Sequence, residues 1–233
     1  MNLNEIKNFI ITELKGWKKG EVIALSAVFV FILINAFVVK DSVIAVISAI
    51  CGILYSAIAG KGKISCYFFG LCGTGCYSFL SFQNALWGNL LLYMGYYLPM
   101  QITGIFAWRK HLNNNTKEII KASLSIKQRI MIFSLAAILC ICAILIIKFF
   151  HGSNPVLDGI TTVLSIFGMY FTVKRCIEQW FMWMIVNGLS ALMWLNLILH
   201  GAKTYSTFIM WLVYFVLSVY FYVCWKKELI KNN

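Results

Sequence analysis

Eight separate runs of apolar residues, each close to the length a helix needs to cross a bilayer, constrain this chain more than any other feature. A hydrocarbon core of about 30 Å takes about 20 residues of helix. The runs fall at residues 22–39, 43–59, 64–82, 86–108, 130–147, 159–173, 179–199 and 207–225. Backbone in lipid must satisfy its own hydrogen bonds, and the alternating ten-residue segments of a membrane β-barrel are absent. The composition agrees: 61% of residues are hydrophobic and 12% charged, where a soluble domain carries about a quarter charged. The expected fold is an all-α membrane protein of about eight transmembrane helices.

A net charge of +12 would suit nucleic acid if it were spread over one surface. It is instead sorted by segment. Seventeen Lys and Arg fall in the N-terminal segment, the 61–63 turn, the central loop, the 174–175 turn and the C-terminal end; Lys40, Lys148 and Lys203 fall in the alternate segments. That is the positive-inside pattern of a cell inner membrane protein with both termini cytoplasmic. The charge implies orientation and contact with the lipid bilayer, and no nucleic acid. Charges interrupt every apolar run in the first twenty residues, so these do not read as a cleavable signal. Ile6, Ile10, Leu14 and Trp17 recur at helical spacing, which predicts an amphipathic cytoplasmic segment over 1–20.

The sequence also repeats itself. DSVIAVIS begins at Asp41 and DGITTVLS at Asp158; Trp108 and Trp225 each precede two basic residues. Each pair is 117 residues apart, as are Ser48 and Ser165, and Tyr97 and Tyr214. Two triplets of spans joined by one linking span are the natural reading. An odd linker leaves the triplets parallel, and transporters built of parallel repeats place solute between their halves. The expected organisation is a peripheral span over 21–40, a three-helix bundle over 41–111, a cytoplasmic loop and linker span over 112–151, a second bundle over 152–228, and a tail over 229–233. Asp41 and Asp158 are expected to cap the first helix of each triplet.

Polar and aromatic residues on one face of a span mark a candidate solute path. In the seventh span Trp183, Asn187, Ser190 and Trp194 follow helical spacing, with Trp180 one turn earlier. In the fourth, Tyr93, Tyr97, Gln101, Gly104 and Trp108 do so, with Pro99 able to bend the helix. Tyr67, Gly70, Thr74 and Tyr77 make a weaker stripe in the third. Gln101 and Asn187 lie at comparable depths, roughly 10–12 Å from the cytoplasmic ends of their spans at about 1.5 Å per residue. Amides beside tryptophans suit a flat heterocycle bearing hydroxyls. The competing reading is structural: tryptophans line membrane interfaces, which would account for Trp108, Trp225 and Trp180, and amides cross-link helices.

No acidic residue lies deep in a span. Glu178 is expected to pair with Arg175 or Lys174 at the cytoplasmic edge. Without a buried relay, passive facilitated diffusion is favoured over proton coupling. The eight cysteines form no C-x-x-C pair, and His111, His151 and His200 lie in loops or at span ends, so neither a metal site nor a disulfide framework is expected. No nucleotide-binding loop or mid-span catalytic pair is present, so neither a cofactor nor an enzyme is expected.

The stretch VLSIFGMYFTVKRCIEQWFMWMIVN from Val163 to Asn187, with KISCYFFGL at Lys63–Leu71 and GIFAW at Gly104–Trp108, resembles the PnuC-type nicotinamide riboside transporter family. The R-x-x-E-x-W-x-x-W-x-x-x-N pattern of Arg175, Glu178, Trp180, Trp183 and Asn187 carries most of the likeness. The resemblance implies a SWEET-like 3+1+3 architecture, a homo-oligomer such as a trimer, and facilitated diffusion of a vitamin trapped by a cytoplasmic kinase. It also implies that Trp183 and Asn187 stack on and hydrogen-bond the substrate, with Gln101 a looser counterpart. Some relatives carry Asn where Cys66 stands. Thiamine or riboflavin on the same fold, and a non-transporting sensor or assembly subunit, remain as alternatives.

Overall fold

The computed structural model describes residues 12–13, 15–40, 42–83, 87–113, 116–151, 154–200 and 205–232. Ile6, Ile10, Leu14 and Asp41 lie outside them. The described chain is helical: α1 Lys19–Val39, α2 Val43–Gly60, α3 Cys66–Gln83, α4 Trp87–Leu92, α5 Leu98–Arg109, α6 Ile126–Phe149, α7 Pro155–Val173, α8 Glu178–Leu199 and α9 Tyr205–Asn232. A π-helical turn, Tyr93–Tyr97, joins α4 to α5. Six of these stretches are long and apolar enough to cross a membrane. The glycine- and hydroxyl-rich α3 and the polar-striped α8 are not among the six, though their 18 and 22 residues span about 27 and about 33 Å.

Local chemistry sets the helix ends. Ser42 accepts from the Ala45 amide at 3.1 Å to cap α2. Ser125 and Gln128 exchange backbone and side-chain bonds at the start of α6, a capping box. Helix α7 begins four residues before the expected 159, because Pro155 at its first position is already set for helical φ. Asn154 therefore takes the N-cap position and Asp158 lies in the first turn. There its carboxylate complements the helix dipole instead of capping the end. Pro99 acts upstream of itself: lacking an N–H, it cannot continue the ordinary ladder, and the Leu98 amide reaches five residues back to the Tyr93 carbonyl. Beyond Trp225 the chain stays helical to Asn232, so residues 229–232 continue α9 and form no separate tail.

The chain divides into two compact units, Met1–Ile120 and Lys121–Asn233. In the first, α2 packs on α3, α3 packs on α4 through α5, and α1 touches α2 lightly. No described side chain of α1 is buried, as befits a helix apolar all round. In the second unit α6 packs along α7, α7 on α8, and α8 on α9. The linking span thus belongs to the second unit, and each triplet carries its preceding helix on its first member.

The turn between the first two helices of each triplet is fastened by an ion pair of opposite polarity. Lys61 in the first unit pairs with Glu21 at 2.7 Å and donates to the Gly16 carbonyl at 3.0 Å. Next to it Lys63 is buried and donates to the Thr12 carbonyl. Burial pulls the Lys63 ammonium below its ordinary pKa, against the opposing pull of Glu13 and Glu118. Glu178, 117 residues after Lys61, is buried and accepts from Arg129 Nε at 2.8 Å and the Leu124 amide at 3.1 Å. Its ion-pair partner is Arg129, not the adjacent Arg175 or Lys174: Arg175 has a left-handed backbone, φ 60°, and its carbonyl accepts from the Ala122 amide.

Candidate substrate site

In the first unit, α3 and α5 meet at glycines. A Cβ on Gly70 would lie 2.8 Å from the Tyr55 ring and 3.1 Å from Gln101 Oε1; one on Gly104 would lie 2.3 Å from the Tyr67 hydroxyl. These gaps let three polar side chains enter the interior. Gln101 Nε2 donates to Thr74 Oγ1 at 2.8 Å, both residues being buried. Gln101 Oε1 and the fully buried Tyr67 hydroxyl have no partner among the described residues. Higher on the same helices Tyr93 stacks on Tyr77, centroids 4.4 Å apart, and meets Tyr97 edge-on at 4.9 Å. The π turn brings this tyrosine group together.

In the second unit Asn187 Nδ2 donates to Ser218 Oγ at 2.9 Å, and Ser218 donates to the Tyr214 carbonyl at 2.7 Å. Trp183 turns to the other neighbour: its ring lies over Gly168, where a Cβ would come within 3.0 Å, and its Nε1 donates to Thr172 Oγ1 at 3.4 Å. The predicted stripe of α8 is thus divided, with Asn187 on α9 and Trp183 on α7. Ser190 is buried; Trp183 and Trp194 are half-buried.

The interfacial reading of three tryptophans does not hold. Trp108 and Trp225 are both 0% exposed and Trp180 is 2% exposed. Tyr67 packs edge-on against Trp108 at 5.0 Å and Trp180 against Trp225 at 5.6 Å. Trp108 and Trp225, which are equivalent in the repeat, close the interior of each unit.

The two amide bonds obey the repeat in an unexpected way. Gln101 and Ser218 are 117 residues apart, as are Gly70 and Asn187. In both units a polar bond ties the second helix of the triplet to the third at this level, but the amide has changed sides. It stands on the third helix in the first unit and on the second helix in the other. Ser218, Thr172 and Tyr55 were missed in the sequence; Ser218 was detectable as the repeat counterpart of Gln101.

The chain is similar to known proteins. A family profile described as nicotinamide mononucleotide transporter matches residues 42–227. The nicotinamide riboside transporter PnuC of Neisseria mucosa is 32% identical over 224 residues, covering 94% of this chain and 84% of that protein. That of Haemophilus influenzae is 31% identical over 221 residues, covering 94% of each. The chain belongs to the PnuC transporter family. A crystal structure of the vitamin B3 transporter PnuC superposes with a TM-score of 0.81 at 30% identity, each chain fully covered. The all-α membrane fold is therefore that of a PnuC transporter. The PnuC protein of Escherichia coli is more distant, 26% identical over 172 residues and covering 63% of this chain and 72% of that one.

Proposed function

We propose that this PnuC-family chain carries nicotinamide riboside across the cell inner membrane by facilitated diffusion, with Trp183, Asn187 and Gln101 contacting the solute. The observation that carries the reading is the pair of buried, uncharged amide–hydroxyl bonds, Gln101–Thr74 and Asn187–Ser218, each beside aromatic rings. Amides and hydroxyls match a carboxamide and a ribose, and the face of Trp183 suits a flat pyridinium cation. Tyr93, Tyr97, Trp180 and Trp194 are assigned as flanking aromatics, Trp180 acting from behind Asn187 through its packing on Phe221.

The same chemistry separates the riboside from its mononucleotide. A buried phosphate needs a paired cation, since an uncompensated charge costs several kcal/mol. Neither cluster holds a charged side chain among the described residues. The described acids, Glu13, Glu21, Glu118, Asp158, Glu178 and Glu228, stand at helix ends or turns, which supports diffusion without a proton relay. Net uptake then needs a cytoplasmic kinase that converts the riboside to a phosphorylated, retained product. Both termini are assigned to the cytoplasm, and the working form to a homo-oligomer.

Calorimetric titration of the purified, detergent-solubilised protein with nicotinamide riboside, its mononucleotide, thiamine and riboflavin tests this reading. Selective riboside binding is expected. Binding of another vitamin alone would overturn the solute and keep the carrier. No binding by a monodisperse, folded protein would favour a sensor or assembly subunit.

A further inference from the structure

One face of α3 is polar along its whole length. Tyr67, Thr74, Ser78 and Ser81 fall within an arc of about 60° at 100° per residue, and span about 21 Å at about 1.5 Å per residue. All four are buried, Ser78 at 5% and Ser81 at 1% exposure. The Tyr67, Ser78 and Ser81 hydroxyls have no partner among the described residues, nor does Gln101 Oε1 beside Thr74. Buried hydroxyls in helices ordinarily fall back on the carbonyl four residues earlier. Elsewhere in this chain buried ones do: Thr172 bonds the Gly168 carbonyl and Ser218 that of Tyr214. Ser78 and Ser81 do not. An unpartnered buried hydroxyl is costly and calls for a partner in the working protein. The repeat shows that packing does not require these hydroxyls: at the equivalent places α8 carries Met184, Ala191, Leu195 and Ile198.

We infer that the Tyr67–Thr74–Ser78–Ser81 face of α3 is a hydroxyl track that receives the sugar of the solute as it passes to and from Gln101, with Ser78 and Ser81 as its outer, specificity-setting steps. The inference rests on the riboside reading above. A ribose offers donors and acceptors on one short edge, and hydroxyls spaced three and four residues apart exchange with it one turn at a time. The aromatic end of the solute gains nothing from this face.

Two measurements on the full chain in proteoliposomes test the track. Wild-type uptake of radiolabelled nicotinamide riboside is measured first, and its failure would overturn the proposed function itself. With wild-type uptake in hand, Ser78→Ala/Ser81→Ala is expected to raise the KM for riboside roughly 5- to 30-fold, as lost hydrogen bonds do. Ser78→Thr/Ser81→Thr, which keeps the hydroxyls, is expected to restore uptake. Unchanged KM in the alanine pair would overturn the track. Separately, Ser78→Cys and Ser81→Cys are treated with a hydrophilic methanethiosulfonate, and peptide mass spectrometry locates the adduct. Their labelling is expected to be at least about 10-fold faster than at Phe79→Cys, on an exposed part of the same helix, because the reactive thiolate needs water. Saturating riboside is expected to slow it. Equal labelling at all three positions, or labelling that riboside leaves untouched, would overturn contact with the sugar.

Discussion

The two units share one scaffold and differ in what they hang on it. In the first, glycines at 70 and 104 open the space between α3 and α5, and Tyr67, Thr74 and Gln101 fill it with oxygen and nitrogen. In the second, Asn187 and Phe221 stand where those glycines do, and the interior is closed by Trp180 and Trp225. The closing tryptophans, the level of the polar bond and the fastened turn persist; the side that contributes each amide or charge does not. The difference teaches that a duplicated bundle conserves where a contact is made more strictly than which residue makes it. A polar bond between two buried helices is satisfied equally well from either one. Free of that constraint, one half became rich in hydroxyls and the other in indoles.

The largest expected losses fall in the indole half. Trp183→Ala and Asn187→Ala are each expected to weaken riboside binding by about 10- to 100-fold, the cost of a lost aromatic contact or a buried polar bond. Calorimetry reads this directly; unchanged affinity in folded variants would make both residues packing elements. The fastened turns come next. Arg129→Ala leaves the buried Glu178 carboxylate with the Leu124 amide alone, and is expected to cost about 1–3 kcal/mol, discounted because Arg129 is itself partly exposed. Lys61→Ala should cost about 0.5–1 kcal/mol, because Glu21 still accepts from the Lys18 amide at 2.7 Å. Thermal melting in detergent should rank the two in that order, and the reverse order would break the equivalence of the turns.

Gly104→Ala tests the open half by filling it. The added methyl meets the Tyr67 ring, and the overpacking is expected to cost about 1–2 kcal/mol with a fall in melting temperature. A neutral result would mean that Tyr67 moves aside freely, and the cluster is not tightly built. Gln101→Leu should have the smallest effect on binding, about 3- to 5-fold. It removes the unpartnered oxygen, which offsets part of the cost of leaving the buried Thr74 hydroxyl without its donor. A larger loss than at Asn187 would reverse the roles assigned to the two halves.

Much of this organisation is legible in the residues alone. A span must be long and apolar and must satisfy its own backbone whatever surrounds it, so the apolar runs and the 117-residue repeat can be read without neighbours. The amide-bearing stripes are readable for the same reason, since a polar side chain in a span is conspicuous. What the chain could not declare is which neighbour each side chain meets. Tryptophans beside basic residues look interfacial in a string of letters, yet Trp108 and Trp225 fill the interior because the second helix of each triplet brings an aromatic ring onto them. Glu178 has two basic residues nearby in sequence and bonds a third, because helix packing brings Arg129 to it while Arg175 gives its carbonyl to Ala122. The division of Trp183 and Asn187 between α7 and α9, and the exchange of the amide between Gln101 and Asn187, are likewise decisions of tertiary structure. Spacing along a helix fixes a direction to within tens of degrees, and only the packed neighbours determine what lies there.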